Sequence, residues 1–318
     1  MMQRIPLANT GFTVSRLCLG GNRLGGDLDR DASFALLDAF MAMGGNFIDS
    51  AHVYANWIPG NEPSSSEKTI GRWLKSRKPD GLVIATKGGH TIDGIKRLDA
   101  ASLRSDVTEA LENLGVPALD IFYVHRDDPA RPAAEIIASL EALRKAGLIR
   151  HYAASNWTTA RLDEAREAAA ALGAPGFIAS QCEWSLARRN PGSNAGDLVA
   201  MDGAMVDFHR RTALTAIPYS SQAKGYFDKV AAGTAEALAP AYDNAPNRAM
   251  AARLKALSAR LKATPTQVML AAMVRAPFPV VPVIGPRDAD QIKSSAASLA
   301  IELDAADAAA LLGMAEAA

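Results

Sequence analysis

The chain predicts a single (β/α)8 barrel, an α/β fold, on three observations. Short apolar runs alternate with helical patterning from residue 16 almost to the end, and strict alternation argues for a parallel sheet. Eight such units within about 300 residues suit a closed barrel better than an open, doubly wound sheet. The longest connections, residues 51–65 and 219–247, both follow strands, on the face where a barrel carries its chemistry. With no linker and no second core in view, residues 1–318 read as one domain.

The elements follow in order. A hairpin opens the chain: residues 5–7, a turn Ala8-Asn9-Thr10-Gly11, then residues 12–14. Strands are expected at 16–19, 46–49, 82–87, 118–124, 149–155, 177–181, 213–218 and 280–284, each a short apolar run of the kind a buried strand shows. Helices are expected at 31–43, 66–76, 100–114, 132–146, 158–172, 197–209, 248–261, 265–275 and 289–297. Ser66 heads the second with acidic Glu67 in its first turn, and Gly44 and Gly147 stand where helices stop, as C′ glycines do. Thr264-Pro265 is an N-cap followed by an N1 proline. An Ala-rich helix at 304–315 closes the chain outside the repeat.

Composition bounds the function. The 318 residues are 49% hydrophobic and 21% charged, with 34 basic and 34 acidic side chains. That is the profile of a globular enzyme, and the charge balance gives no reason to expect nucleic acid or an acidic membrane surface as partner. The N-terminal stretch has no apolar signal region, and no run approaches a membrane span. Cys18 and Cys182 are expected as free thiols in a reducing cytoplasm, where disulfides are rare.

Four ionisable residues fall at or just beyond strand ends: Asp49 and Tyr54 in NFIDSAHVY, Lys87 in LVIATKGG and His125 in DIFYVHRDD. A barrel opens all its strand C-termini onto one face, so it would gather them. A phenol is a poor acid near neutrality, and a neighbouring ammonium such as Lys87 would lower its pKa. A buried lysine needs a partner, which Asp49 offers. His125 would donate to a substrate oxygen or share a proton with Tyr54. The set suits protonation of a carbonyl oxygen as hydride arrives at carbon, or the reverse. A lone Asp or Lys at a strand end is more often structural; four together point to chemistry. His90, His151 and His209 have no metal-ligand spacing, so no metal is expected.

These segments resemble the aldo-keto reductase family over nearly the whole chain. NFIDSAHVY is similar to its first signature, SSSEKTIGRWL to its S-E-x-x-[IL]-G helix start, ATKGG to its lysine strand and LDIFYVHRDDP to its histidine strand. ASNW, PYSSQAKG and VIGPRDADQI stand where the family has cofactor segments. There is no G-x-G-x-x-G after a strand, so a Rossmann site is not supported. The resemblance implies a nicotinamide dinucleotide extended across the barrel mouth. Ser155, Asn156 and Gln181 would hold its carboxamide and Tyr219 would stack on the nicotinamide ring. Ser220, Ser221 and Gln222 would approach the pyrophosphate by hydroxyl and backbone N–H. At the adenosine end Gly285, Arg287 and Gln291 match the family pattern, while Ser295 stands where Asn is usual. Arg287 is the candidate for a 2′-phosphate, so NADPH is expected over NADH.

On the substrate side, Trp57 (with Ile58), Trp157 and Trp184 follow strands and are expected to wall a pocket. His52, Asn56, Arg126, Asp127 and Asp128 add polar groups near the same rim. Such a mouth suits hydroxylated, sugar-like aldehydes or ketones. The rival reading is a cofactor-sensing binding protein of the same fold, like potassium-channel β subunits. The intact set of four favours an NADPH-dependent carbonyl reductase acting on a small-molecule carbonyl.

Overall fold

A computed structural model describes residues 2–193 and 196–313. The opening hairpin pairs β1 (Arg4–Pro6) with β2 (Thr13–Ser15), antiparallel, around a turn with left-handed Asn9 and Gly11. Eight parallel strands follow: β3 (Cys18–Gly20), β4 (Phe47–Asp49), β5 (Val83–Gly88), β6 (Leu119–Val124), β7 (Ile149–Ser155), β8 (Ala179–Gln181), β9 (Thr215–Ala216) and β10 (Val283–Ile284). They lie in the order β10-β3-β4-β5-β6-β7-β8-β9. The sheet closes where Ala216 pairs with Val280. Ala216 N donates to Pro279 O, Val281 N to Ala216 O and Val283 N to Pro218 O, each at 2.9 Å.

Side-chain alternation divides the strands between two cores. Cys18, Phe47, Val83, Ala85, Ile121, Tyr123 and Ala153 fill the barrel, and Leu7 and Val14 of the hairpin segment pack with them. Leu19, Ile48, Ile84, Phe122 and Tyr152 point out beneath the helices. These are α1 (Arg30–Ala42), α2 (Ser65–Arg77), α3 (Ala100–Leu114), α4 (Ala133–Lys145), α5 (Thr159–Ala171) and α6 (Gly203–Thr212), then α7 (Tyr226–Ala232), α8 (Ala239–Tyr242), α9 (Ala245–Leu261), α10 (Pro265–Met273), α11 (Ala289–Ala297) and α12 (Ala305–Leu312). A further cluster joins Trp184, Tyr226, Phe227, Tyr242, Leu254 and Phe278 under α7–α10.

Several boundaries differ from the sequence reading. The helix expected at 197–209 begins at Gly203, because Asp202 caps it through Met205 N at 2.8 Å. The residues before it run beside Glu183, whose N–H donates to Val199 O at 2.9 Å while its carbonyl accepts from Met201 N at 2.8 Å. Ser66 is not the cap of α2; the helix starts from left-handed Ser64, and Ser66 Oγ turns inward to Gly21 O at 2.8 Å. The loop expected at 219–247 contains α7, α8 and the start of α9, which Asn244 caps and Pro246 opens. Of the tail helix, residues 314–315 lie outside the described residues. Among the described residues no helix is long and apolar enough to cross a membrane.

Candidate active site

Parallel strands bring the strand-end residues to one face. Asp49 ends β4, Lys87 is the penultimate residue of β5, His125 follows β6, Ser155 ends β7 and Gln181 ends β8. The Tyr54 loop is pinned beside them, with His52 N donating to Lys87 O at 2.9 Å and Tyr54 N to Ala51 O at 3.1 Å. Lys87 Nζ is the hub. It donates to Asp49 Oδ2 at 2.6 Å, Ser50 O at 2.7 Å and the Tyr54 hydroxyl at 2.9 Å. Both ends of the Lys87–Asp49 pair are buried. Asp49 Oδ1 accepts from Gln181 Nε2 at 3.1 Å, so the carboxylate is held from both sides. The His125 ring stands edge-on to Tyr54, centroids 5.9 Å apart.

The charges follow from these contacts. Burial alone would pull the Lys87 pKa down; Asp49, then Tyr54, more than offset it and hold the ammonium. Burial pushes the Tyr54 phenol above its ordinary value, past the opposing pull of Lys87. The expectation of a net lowering is therefore corrected. The ammonium sits at salt-bridge distance from Asp49, and that carboxylate's charge also opposes the phenolate. Burial, then the Lys87 charge, depresses His125 well below the usual imidazole range, so it is neutral near pH 7. Its Nδ1 is buried without a partner among the described residues.

Along the next strands, Asn156 is left-handed, with φ at 60°. Its Nδ2 donates to His125 O at 3.2 Å and Ser155 Oγ at 3.1 Å, and its Oδ1 accepts from Tyr219 OH at 2.8 Å. That bond holds Tyr219 beside the end of β7. The Ser155 hydroxyl proton and Gln181 Oε1 make no hydrogen bond among the described residues, leaving one donor and one acceptor, the complement of a carboxamide. Ser220, Ala223, Lys224 and Gly225 are all left-handed, a backbone of the kind that turns N–H groups toward an anion. Ser221 departs from expectation: it is buried and its hydroxyl is committed to Val283 O at 2.6 Å, so it offers a phosphate no side chain. Gln222 is likewise engaged as a strap, accepting from Gly285 N at 3.1 Å and donating to Ser295 Oγ at 3.1 Å. Gln291 Oε1 accepts from Arg287 N at 3.0 Å. Arg287 itself is exposed, and its guanidinium makes no bond among the described residues.

Of the three tryptophans, Trp57 is at the mouth, 59% exposed and 6.2 Å from the Tyr54 ring. The other two do not wall the mouth. Trp157 is fully buried between Phe177, at 5.0 Å, and the Arg161 guanidinium, also at 5.0 Å. Trp184 is buried and stacks on Phe278 at 5.9 Å.

Sequence reasoning missed three features. His90 packs against His125 at 5.0 Å; its place after the lysine strand was the available signal. Lys224 lies exposed in the left-handed turn of PYSSQAKG. Glu67 is fully buried below the site, accepting from Thr86 Oγ1 at 2.5 Å and Asn113 Nδ2 at 2.9 Å. An acidic residue in a first helical turn reads as a capping charge, which hid that one.

The model of the aldo/keto reductase family matches residues 16–316. A norsolorinic acid reductase of Emericella nidulans is 28% identical over 94% of this chain and 77% of its own. An aryl-alcohol dehydrogenase [NADP(+)] of Phanerodontia chrysosporium is 30% identical over 57% of this chain and 50% of its own. An uncharacterised oxidoreductase of Bacillus subtilis, YrpG, is 26% identical over 95% and 93%. The chain belongs to the aldo/keto reductase family, oxidoreductases that work between carbonyl and alcohol groups.

Proposed function

We propose that the chain reduces an aromatic aldehyde or ketone to the alcohol with NADPH. One observation carries the reading: Lys87 Nζ touches the Asp49 carboxylate at 2.6 Å and the Tyr54 hydroxyl at 2.9 Å. Bound NADPH supplies the hydride for the carbonyl carbon. Tyr54 and neutral His125 hold the carbonyl oxygen, and Tyr54 gives it a proton as negative charge develops there. The tyrosinate left behind meets the Lys87 ammonium, which Asp49 and Gln181 keep in place, and then regains its proton from solvent. Ser155 and Gln181 fit the carboxamide, Arg287 the 2′-phosphate, and the left-handed turn with Lys224 the pyrophosphate.

The rim supports an apolar substrate over a sugar. Trp57 stands exposed at the mouth. Ile92 and Ile95, an exposed pair bonded across a turn (Ile95 N to Ile92 O, 2.8 Å), project from the loop after β5. The polar rim residues are spent internally: Asp127 grips Arg161 at 2.9 and 3.0 Å, Arg126 holds Asp197 at 2.9 Å, and Asn56 accepts from Ser64 N at 2.8 Å. The name of one fungal relative, the aryl-alcohol dehydrogenase, agrees with an aryl substrate. Loss of NADPH absorbance with a panel of aryl, aliphatic and sugar aldehydes tests it. Aryl aldehydes are expected to turn over fastest. NADPH binding without turnover of any carbonyl would make the chain a cofactor-binding protein, and faster turnover of sugars would return the polar-rim reading.

A further inference from the structure

The mouth is one end of the barrel. At the other, Arg16, Arg210 and Arg275 line a cavity of about 650 Å³. Arg16 precedes β3, Arg210 lies in the last turn of α6, and Arg275 falls between α10 and β10, all on the side where strands begin. Each is without a carboxylate partner among the described residues. Arg16 donates to Val274 O, and Arg275 donates to the Ala271 and Ile301 carbonyls. Arg211 and Arg260, by contrast, are matched with Asp163 and Asp307. Three guanidiniums gathered on one cavity without an anion repel one another; Arg16 and Arg275 are half-buried, where that repulsion is poorly screened, and Arg210 reaches the cavity from its exposed rim. Burial, then the neighbouring Arg275 charge, pulls Arg16 below its ordinary pKa, as expected of a cation missing its counter-charge.

The opposite wall is apolar, made by Leu303 before α12 and by Ala308 and Leu312 on it. The volume is that of a small-molecule site, a few hundred to about a thousand Å³. Guanidinium forks match a planar carboxylate bidentately, which ammonium groups do not.

We propose that this cavity binds an amphipathic organic carboxylate, its head on Arg16, Arg210 and Arg275 and its apolar body along Leu303, Ala308 and Leu312. The site is separate from the mouth and independent of the reaction proposed there.

Titration calorimetry of the full chain with octanoate tests it, with octanol and inorganic phosphate as comparison probes. Octanoate is expected to bind one per chain, and octanol and phosphate at least about tenfold more weakly, since each lacks half of the recognition. Arg210→Gln, whose side chain makes no bond among the described residues, is expected to weaken octanoate about tenfold, the low end for a charge-assisted contact. Ala305→Glu sets a carboxylate at the first residue of α12, where an acidic side chain suits the helix. It is expected to abolish octanoate binding while the melting temperature and NADPH titration stay as in wild type. Several results would overturn the proposal: no octanoate binding, phosphate binding as tightly as octanoate, or both variants binding like wild type. Glu316 follows Leu312 by four residues. Octanoate binding seen only in Glu316→Gln would make the chain's own carboxylate the occupant, which also overturns it.

Discussion

In the reaction proposed for the mouth, the Tyr54 phenolate would form with burial against it and Lys87 for it. Tyr54→Phe keeps the ring and removes the proton, so turnover is expected to fall about 10²–10⁴-fold with NADPH affinity little changed. Retention of a large share of activity, with chemistry limiting the rate, would remove Tyr54 from that role. Lys87→Met removes the main opposition to burial, so the phenol pKa rises further and the limb on which alcohol oxidation gains rate with pH moves to higher pH; a superimposable pH–rate profile would contradict the pairing. Arg287→Ala is expected to weaken NADPH about 10- to 150-fold, the worth of a charge-assisted phosphate contact, and to leave NADH nearly unchanged. Equal losses for both nucleotides would make Arg287 a structural residue. At this scale the sequence located Asp49, Tyr54, Lys87 and His125 because a strand end in a barrel dictates a place. It misplaced Trp157 because position after a strand does not dictate direction. Left-handed Asn156 turns the chain there, and Trp157 passes beneath Arg161 of α5.

The helices were legible from their apolar patterning more than from their caps: Thr264 does cap α10, and left-handed Gly44 and Gly147 follow α1 and α4, whereas Asp29, Asp99, Thr158, Asp288 and Asp304, which each accept a backbone N–H of the first turn, were not read as caps. Where a turn is made by residues that seldom signal one, the reading failed. Ser220, Ala223 and Lys224 adopt positive φ without being glycine, and α7 and α8 hide behind them in what resembles one loop. Gly71 shows how tightly the elements pack, since a Cβ there would lie 2.0 Å from Asn113 O at the end of α3. Backbone cannot yield as a side-chain tip can, so Gly71→Ala is expected to destabilise by about 1–3 kcal/mol or more, as overpacking does. Urea unfolding measures it, and an unchanged midpoint would mean that α2 and α3 slide apart freely.

Over the whole molecule, acid sensitivity is set by histidines as well as carboxylates. His125 and His209 are buried, and burial holds both below the ordinary imidazole value of 6.5. The unfolded chain therefore binds more protons than the folded one between those depressed values and about 6.5, so stability falls as pH drops through that window. Each group contributes a slope of up to about 1.4 kcal/mol per pH unit. The melting temperature is expected to decline from pH 7 to 5, less steeply in His209→Phe; an identical decline would exclude His209. The closure of the barrel carries one more consequence. β9 and β10 are two residues each, so this is the thinnest seam in the sheet. Its two sides lead into the loops that hold Tyr219, Gln222, Gly285 and Arg287. A chain without nucleotide should breathe there first, and a ligand gripping both loops must close it. Deuterium uptake at the Ala216, Val281 and Val283 amides thus becomes a gauge of cofactor occupancy, slowing as NADPH rises past its Kd.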